Sequence, residues 1–186
     1  MKKKDLMFAD RDYFLNNLFV GLQKVSKEIL VKKATEYDGI EAYLYFRETE
    51  HVGMRFVKIT PDFVDSIGLD TEEIWETAKA NTFAETELTS LKALKVTNEP
   101  LYVVSNRPKI RGASAILNRD IMRELAKQYG VNKLVVLPSS IHEMIVIPYD
   151  TSIDMNRMSE MVRDINHSEV DPPDRLTDKA YLVDVI

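Results

Sequence analysis

The chain has 186 residues, 45% of them apolar and 30% charged, with a net charge of −5 at pH 7. That balance predicts a globular protein of one domain, or one domain with a small helical addition, and argues against a general nucleic-acid surface. With no cysteine in the chain, disulfide scaffolds, thiolate zinc sites and cysteine nucleophiles are excluded.

Taken in chain order, the start MKKKDLMFADRDYF has the lysines of a secretion signal but no apolar segment behind them, which predicts a cytoplasmic protein. No apolar run approaches the roughly 18 residues of a membrane span, so no membrane partner is expected. Phe14, Leu18, Leu22, Val25 and Ile29 recur at spacings of four and three, which predicts one amphipathic helix over 13–34, capped by Asp10 or Asp12. In IEAYLYFR (40–47), Ile40, Ala42, Leu44 and Phe46 alternate with Glu41, Tyr43, Tyr45 and Arg47. This predicts a strand with one buried and one amphipathic face, paired as a hairpin with a second strand at 52–59.

Thr60–Pro61 opens a short helix that Gly68 ends, and Asp70 with Glu73 opens the next, carrying Ile74, Trp75 and Ala78 to about Ala80. A further helix is expected over 85–94. Beyond Pro100, LYVVS (101–105) reads as a strand, NRPKIRG (106–112) as a basic loop, and 113–117 as a short strand. Asn118 is placed to cap a helix that runs through Tyr129 to Gly130. Strands at 133–137 and 143–147, a helix capped by Asp154 and a last strand near 181–185 complete the chain. Strands in neighbouring pairs with helices between them predict an α+β fold with a mostly antiparallel sheet and helices packed on it. The division is an N-terminal helix, hairpin and helical segment over 1–98 and an α+β unit over 99–186, packed as one compact domain.

Four segments carry a likeness: DFVDSIGLDTEEIWETAKANT (62–82), LYVVSNRPKIRGASAILNRDIMRELAKQYG (101–130), LVVLPSSIHEMIVIP (134–148) and MSEMVRDINHSEVDPPDRLTDKAY (158–181). Together they resemble an uncharacterised bacterial domain family with no assigned activity. PSSIHE and INHSEVDPPDRLTDKAY are the most specific parts. The resemblance implies that 101–181 is one recurring unit. Members of that family usually carry a longer N-terminal region, so this chain resembles a short version of them. The first 60 residues match weakly.

The chemistry-bearing residues concentrate in the second half. Ser139, Ser140, His142 and Glu143 form a polar knot between two apolar runs. It reads either as a turn whose hydroxyls and imidazole bond local backbone, or as a serine nucleophile with a histidine base. There is no G-x-S-x-G elbow, and adjacent side chains on a strand point to opposite faces. Arg107, Lys109 and Arg111 alternate in NRPKIRG, an arrangement suited to an anion or to a solvated loop, without a glycine-rich phosphate cradle. Only His51, His142 and His167 are present, and none has metal-ligand spacing, so neither a metal nor a cofactor is expected. Asn166 and Asp178 line a site if the tail folds back, and Tyr43 with Tyr45 stacks a ligand, meets a partner or packs beneath a helix.

The reading is a non-enzymatic binding or protein-interaction module. Its ligand site would be lined by Asn106, Arg111, Ser139, Ser140, His142 and Glu143, and its partner would be another protein or a small anionic ligand. The alternatives are a small hydrolase using Ser140, His142 and a distant carboxylate, and a phage- or toxin-related protein that binds a host partner.

Overall fold

A computed structural model of the chain describes residues 10–50 and 53–185. Asp10 caps a single helical turn and a half, α1 (Arg11–Asn16), by accepting from the amides of Asp12 and Tyr13. The chain then runs through the strands β1 (Leu18–Lys24), β2 (Lys32–Ala34), β3 (Ile40–Glu50) and β4 (Gly53–Lys58). The predicted helix over 13–34 is therefore corrected to a short helix and two strands. A spacing of four satisfies a strand's period of two as well as a helical turn. Leu18, Val20 and Leu22 point to one side of the sheet and are buried, whereas Val25 and Ile29 are 64% and 77% exposed. The apolar stripe thus ends where the helical reading needed it to continue.

β3 is the spine of the first sheet. It pairs antiparallel with β1 along one edge, and with β2 and then β4 along the other. Residues 40–47 are all buried, so the face expected to be amphipathic is covered as well as the apolar one. The 40–50 and 53–58 hairpin is present, with residues 51–52 of its turn outside the described residues.

Two helices follow, both opened by the residues that the sequence marks; the first also ends where expected, and the second runs on to Ala84, past the expected end near Ala80. Thr60 caps α2 (Pro61–Ile67), which Gly68 ends in the left-handed region at φ 65°. Asp70 caps α3 (Thr71–Ala84), and Ile74, Trp75 and Ala78 turn inward. The helix expected over 85–94 is instead β5 (Thr86–Ser90) and a turn. Pairing with β6 (Tyr102–Asn106) overrides the local helical preference of Glu87 and Leu88.

The second sheet has the order β5, β6, β8 (Met144–Pro148), β7 (Lys133–Leu137), β9 (Tyr181–Asp184), antiparallel throughout. The two sheets and their helices form the α+β fold with antiparallel pairing that the sequence implies. Residues 112–117 form a buried 3-10 helix rather than a strand. Its Ala113, Ala115 and Ile116 are fully buried in a core that also holds Leu18 and Leu44 of the first sheet and Val104 and Val146 of the second. α4 (Arg119–Gln128) covers the same interior. Asn118 stands at its start but sends its amide to the Thr86 hydroxyl rather than back to the helix. On the outer face of the second sheet, α5 (Met155–Glu169), capped by Asp154, packs Val162 on Val135 and Leu137.

Candidate functional site

The knot between β7 and β8 is a turn closed by its own hydroxyl. The Ser140 amide donates to the Glu143 carbonyl at 3.1 Å, and the Ser140 Oγ accepts from the His142 amide at 3.0 Å. Three other segments fasten it. The Ile141 amide donates to the Asp174 carbonyl at 2.8 Å, the Ala113 amide to the Ile141 carbonyl at 3.2 Å, and the Ser105 hydroxyl to the His142 carbonyl at 2.8 Å.

The imidazole of His142 is engaged at both nitrogens. Nδ1 accepts the Arg111 amide at 3.1 Å, and Nε2 stands 3.3 Å from the Asp174 carboxylate. A ring nitrogen that faces an N–H cannot itself carry the proton, so these partners assign the neutral ring's proton to Nε2, facing Asp174. The knot and the NRPKIRG loop, 31 residues apart in sequence, therefore meet at one side chain. Asp174 is a partner that the sequence did not single out. The only sequence signal was that 171–174 lies in one of the two most specific segments.

The basic loop folds around Asn106. Its Oδ1 accepts from the Ile110 amide and its Nδ2 donates to the Ile110 carbonyl, closing the loop on itself. Lys109 and Arg111 take left-handed backbone at φ 57° and 54°. Gly112 then passes so close to β6 that a Cβ there would lie 2.4 Å from the Asn106 nitrogen and from the Ser105 Oγ. Each cation of the loop has a protein partner. Arg107 donates to the Ala84 carbonyl at the end of α3 at 2.6 Å, and Lys109 pairs with Glu87 at 2.7 Å. Arg111 donates to the Tyr43 hydroxyl at 2.7 Å while its guanidinium lies 5.0 Å from the Phe56 ring centroid.

Tyr43 and Tyr45 are thus covered by the loop residues Leu30 and Arg111 instead of by a helix, with Phe19 and Phe56 beside them. Burial pushes the Tyr43 hydroxyl above its ordinary range, against the opposing pull of Arg111. Beside this cluster Arg47 lies over Phe19, 3.8 Å from its centroid, and forks onto Glu85 through two hydrogen bonds. Glu41, also buried on this face, takes hydrogen bonds from Gln23, Ser26 and Lys32.

The remaining sequence candidates gather elsewhere. The tail does fold back: Asn166 donates to the Thr177 carbonyl and to the Asp178 carboxylate at 3.1 and 2.9 Å. Asn166 and Ser139 line one apolar cavity of about 190 Å³ between α5 and the outer face of the second sheet, with Leu137, Ile145, Val162 and Ile165. So Ser140, His142, Asn106 and Arg111 form one network, and Ser139 and Asn166 another. Glu143 is half-buried at the edge of the first. Among the described residues no group of three or more histidine and carboxylate side chains is placed to hold a metal ion, and no helix is long and apolar enough to cross a membrane.

No curated protein matches the chain. A model of a family of unknown function, DUF5688, matches residues 83–184, more than half of the chain. The match contains three of the four segments singled out from the sequence, with the knot, the basic loop and the tail, while 62–82 lies outside it. A chain that carries this whole unit belongs to that family of unknown function.

Proposed function

We propose that the chain is a cytoplasmic bacterial module that recognises a ligand or partner without transforming it. The observation that carries this reading is the engagement of His142 at both ring nitrogens, by the Arg111 amide and by Asp174. A histidine held in this way orders two loops and has no lone pair directed at a serine. Ser140 supports the same conclusion, since its Oγ is taken up by the turn. The cations of NRPKIRG are spent on Ala84, Glu87 and Tyr43, which favours a loop that fastens the sheets together over an anion site. Both specific segments line an open concavity beneath α5, through Ser139 and Asn166.

A hydrolase built on Ser140 and His142 is the second reading, and Asp174 favours it by supplying the carboxylate that such a triad needs. That reading requires Nδ1 to be released from Arg111 and the Ser140 Oγ to turn toward it. The two are separated by assaying the purified chain against activated esters and phosphoesters, with Ser140→Ala as the control. Recognition alone gives no turnover above that of the variant. Turnover that disappears in a folded Ser140→Ala protein would establish the hydrolase instead.

A further inference from the structure

A sheet presents unpaired backbone groups along its outermost strands, and proteins cover or charge such edges so that no other strand adds to them. Among the described residues, three of the four outer edges are treated in that way. Along β1, α3 takes up the groups that face away from β3: the Val20 amide donates to the Thr82 hydroxyl, and the Asn81 side chain to the Leu18 carbonyl, both at 2.9 Å. On β9, Arg119 donates to the Asp184 carbonyl at 2.7 Å. The remaining edge of the first sheet, β2 with β4, carries Lys32, Lys33, Arg55 and Lys58.

β5 is the exception. It ends the second sheet, its sequence TELTS holds no lysine, arginine or proline, and all of its residues are half-buried. The Arg107 amide donates to the Glu85 carbonyl and the Leu91 amide to the Leu101 carbonyl, which fixes the alternation along the strand. Glu87 and Thr89 therefore face β6, and Thr86, Leu88 and Ser90 direct their amides and carbonyls away from it. Ser90 gives its carbonyl to the Leu94 amide in the turn that follows, but at the centre the amide and carbonyl of Leu88 have no partner among the described residues.

We propose that β5 is a self-association edge, through which two copies of the chain join their second sheets into one. The strand is complementary to itself. An antiparallel copy placed with the two-fold axis at Leu88 bonds Leu88 to its own counterpart, and Thr86 to Ser90 of the other copy on either side. Glu87 then stands opposite Thr89, whose hydroxyl can donate to it, and no like charges meet. The same pairing brings the turn after β5 alongside the start of β5 in the other copy. That turn carries Leu94 and Val96, 61% and 68% exposed, and their apolar surface gains cover there.

The test is sedimentation equilibrium of the full chain and of two variants at Thr89, which lies half-exposed on the face of the sheet away from the core, with folding checked by circular dichroism. The unaltered chain is expected to form a dimer reversibly as its concentration rises. Thr89→Lys sets a cation opposite Glu87 of the other copy and Thr89→Glu sets a carboxylate there, and the two-fold axis repeats each change. The first is expected to tighten the dimer and the second to weaken it. Each effect is about threefold, small for two cross-strand charge pairs because Lys109 already shares Glu87. A dimer that responds to neither substitution, or to both in the same direction, assigns the contact to another surface and overturns the proposal. A chain that stays monomeric at every concentration also overturns it, and leaves the edge to a strand of another protein.

Discussion

Replacing His142 by alanine removes two contacts of unequal worth. The Arg111 amide loses its acceptor inside a tightly folded loop, where stranding a donor costs about 1–2 kcal/mol. The Asp174 pair costs less. Both side chains are about a third exposed, at 36% and 35%, so water rehydrates the carboxylate and the loss is about 0–1 kcal/mol. His142→Ala is therefore expected to lower stability by about 1–3 kcal/mol, which for a chain of this size is a fall in Tm of about 2–12 °C. Urea unfolding followed by the fluorescence of Trp75, the chain's single tryptophan and 5% exposed in the core, reads the change directly. The companion variant is His142→Asn, whose Oδ1 can take the place of Nδ1 and accept from Arg111. It should recover most of the loss while leaving Asp174 unpaired. Wild-type stability for His142→Ala would refute the structural role of the ring. An asparagine variant as weak as the alanine one would refute the assignment of that role to Nδ1.

Gly112→Ala sets a Cβ 2.4 Å from the backbone nitrogen of Asn106, which cannot move without disturbing β6. Overpacking of this kind is expected to cost about 3 kcal/mol in a denaturant melt, and a loss under about 1 kcal/mol would contradict the close approach. Acid tests the outer face of the first sheet. Burial pushes the Glu41 carboxyl up, but hydrogen bonds from Gln23, Lys32 and Ser26 outweigh it and hold the group below its ordinary value. A carboxyl depressed by folding stabilises fully above its unfolded value of about 4.3 and loses that contribution as pH falls through the lower folded value. Unfolding free energy measured from pH 6 downward should show this loss, and Glu41→Gln should flatten the slope; an unchanged slope would remove Glu41 from the account.

The legible parts of the sequence were those in which one residue type has one local consequence. Thr60 with Pro61, Gly68, Asp70 and Asp154 cap or end helices through their own side chains or backbone freedom, and the structure uses each of them so. The alternation at 40–47 and the apolar runs flanking the knot also fix their strands locally. The failures share a different cause. At 18–24 and 86–90 a strand exists because a partner strand lies beside it, β3 in one case and β6 in the other. The buried 3-10 helix follows from the turn at Arg111, and no sequence period announces a helix that short. The candidate site divides in the same way. The knot and the basic loop could be named from composition, but their junction at His142 depends on Asp174, which is brought in by the fold of the tail. Ser139 and Ser140 are neighbours in sequence, yet one lines a cavity and the other closes a turn.

The boundary of the family match has a mechanical meaning. It falls at residue 83, within α3, whose Ile74 and Trp75 share an interior with Val104, Ile116 and Val146 from beyond that point. Arg111 crosses the same line to reach Tyr43. The stretch that sequence comparison marks off thus shares its inner apolar face with residues that the comparison does not include. For a graft of residues 83–184 onto another leading segment to fold, that segment would have to bring a roof of matching shape and a hydroxyl at the place of Tyr43.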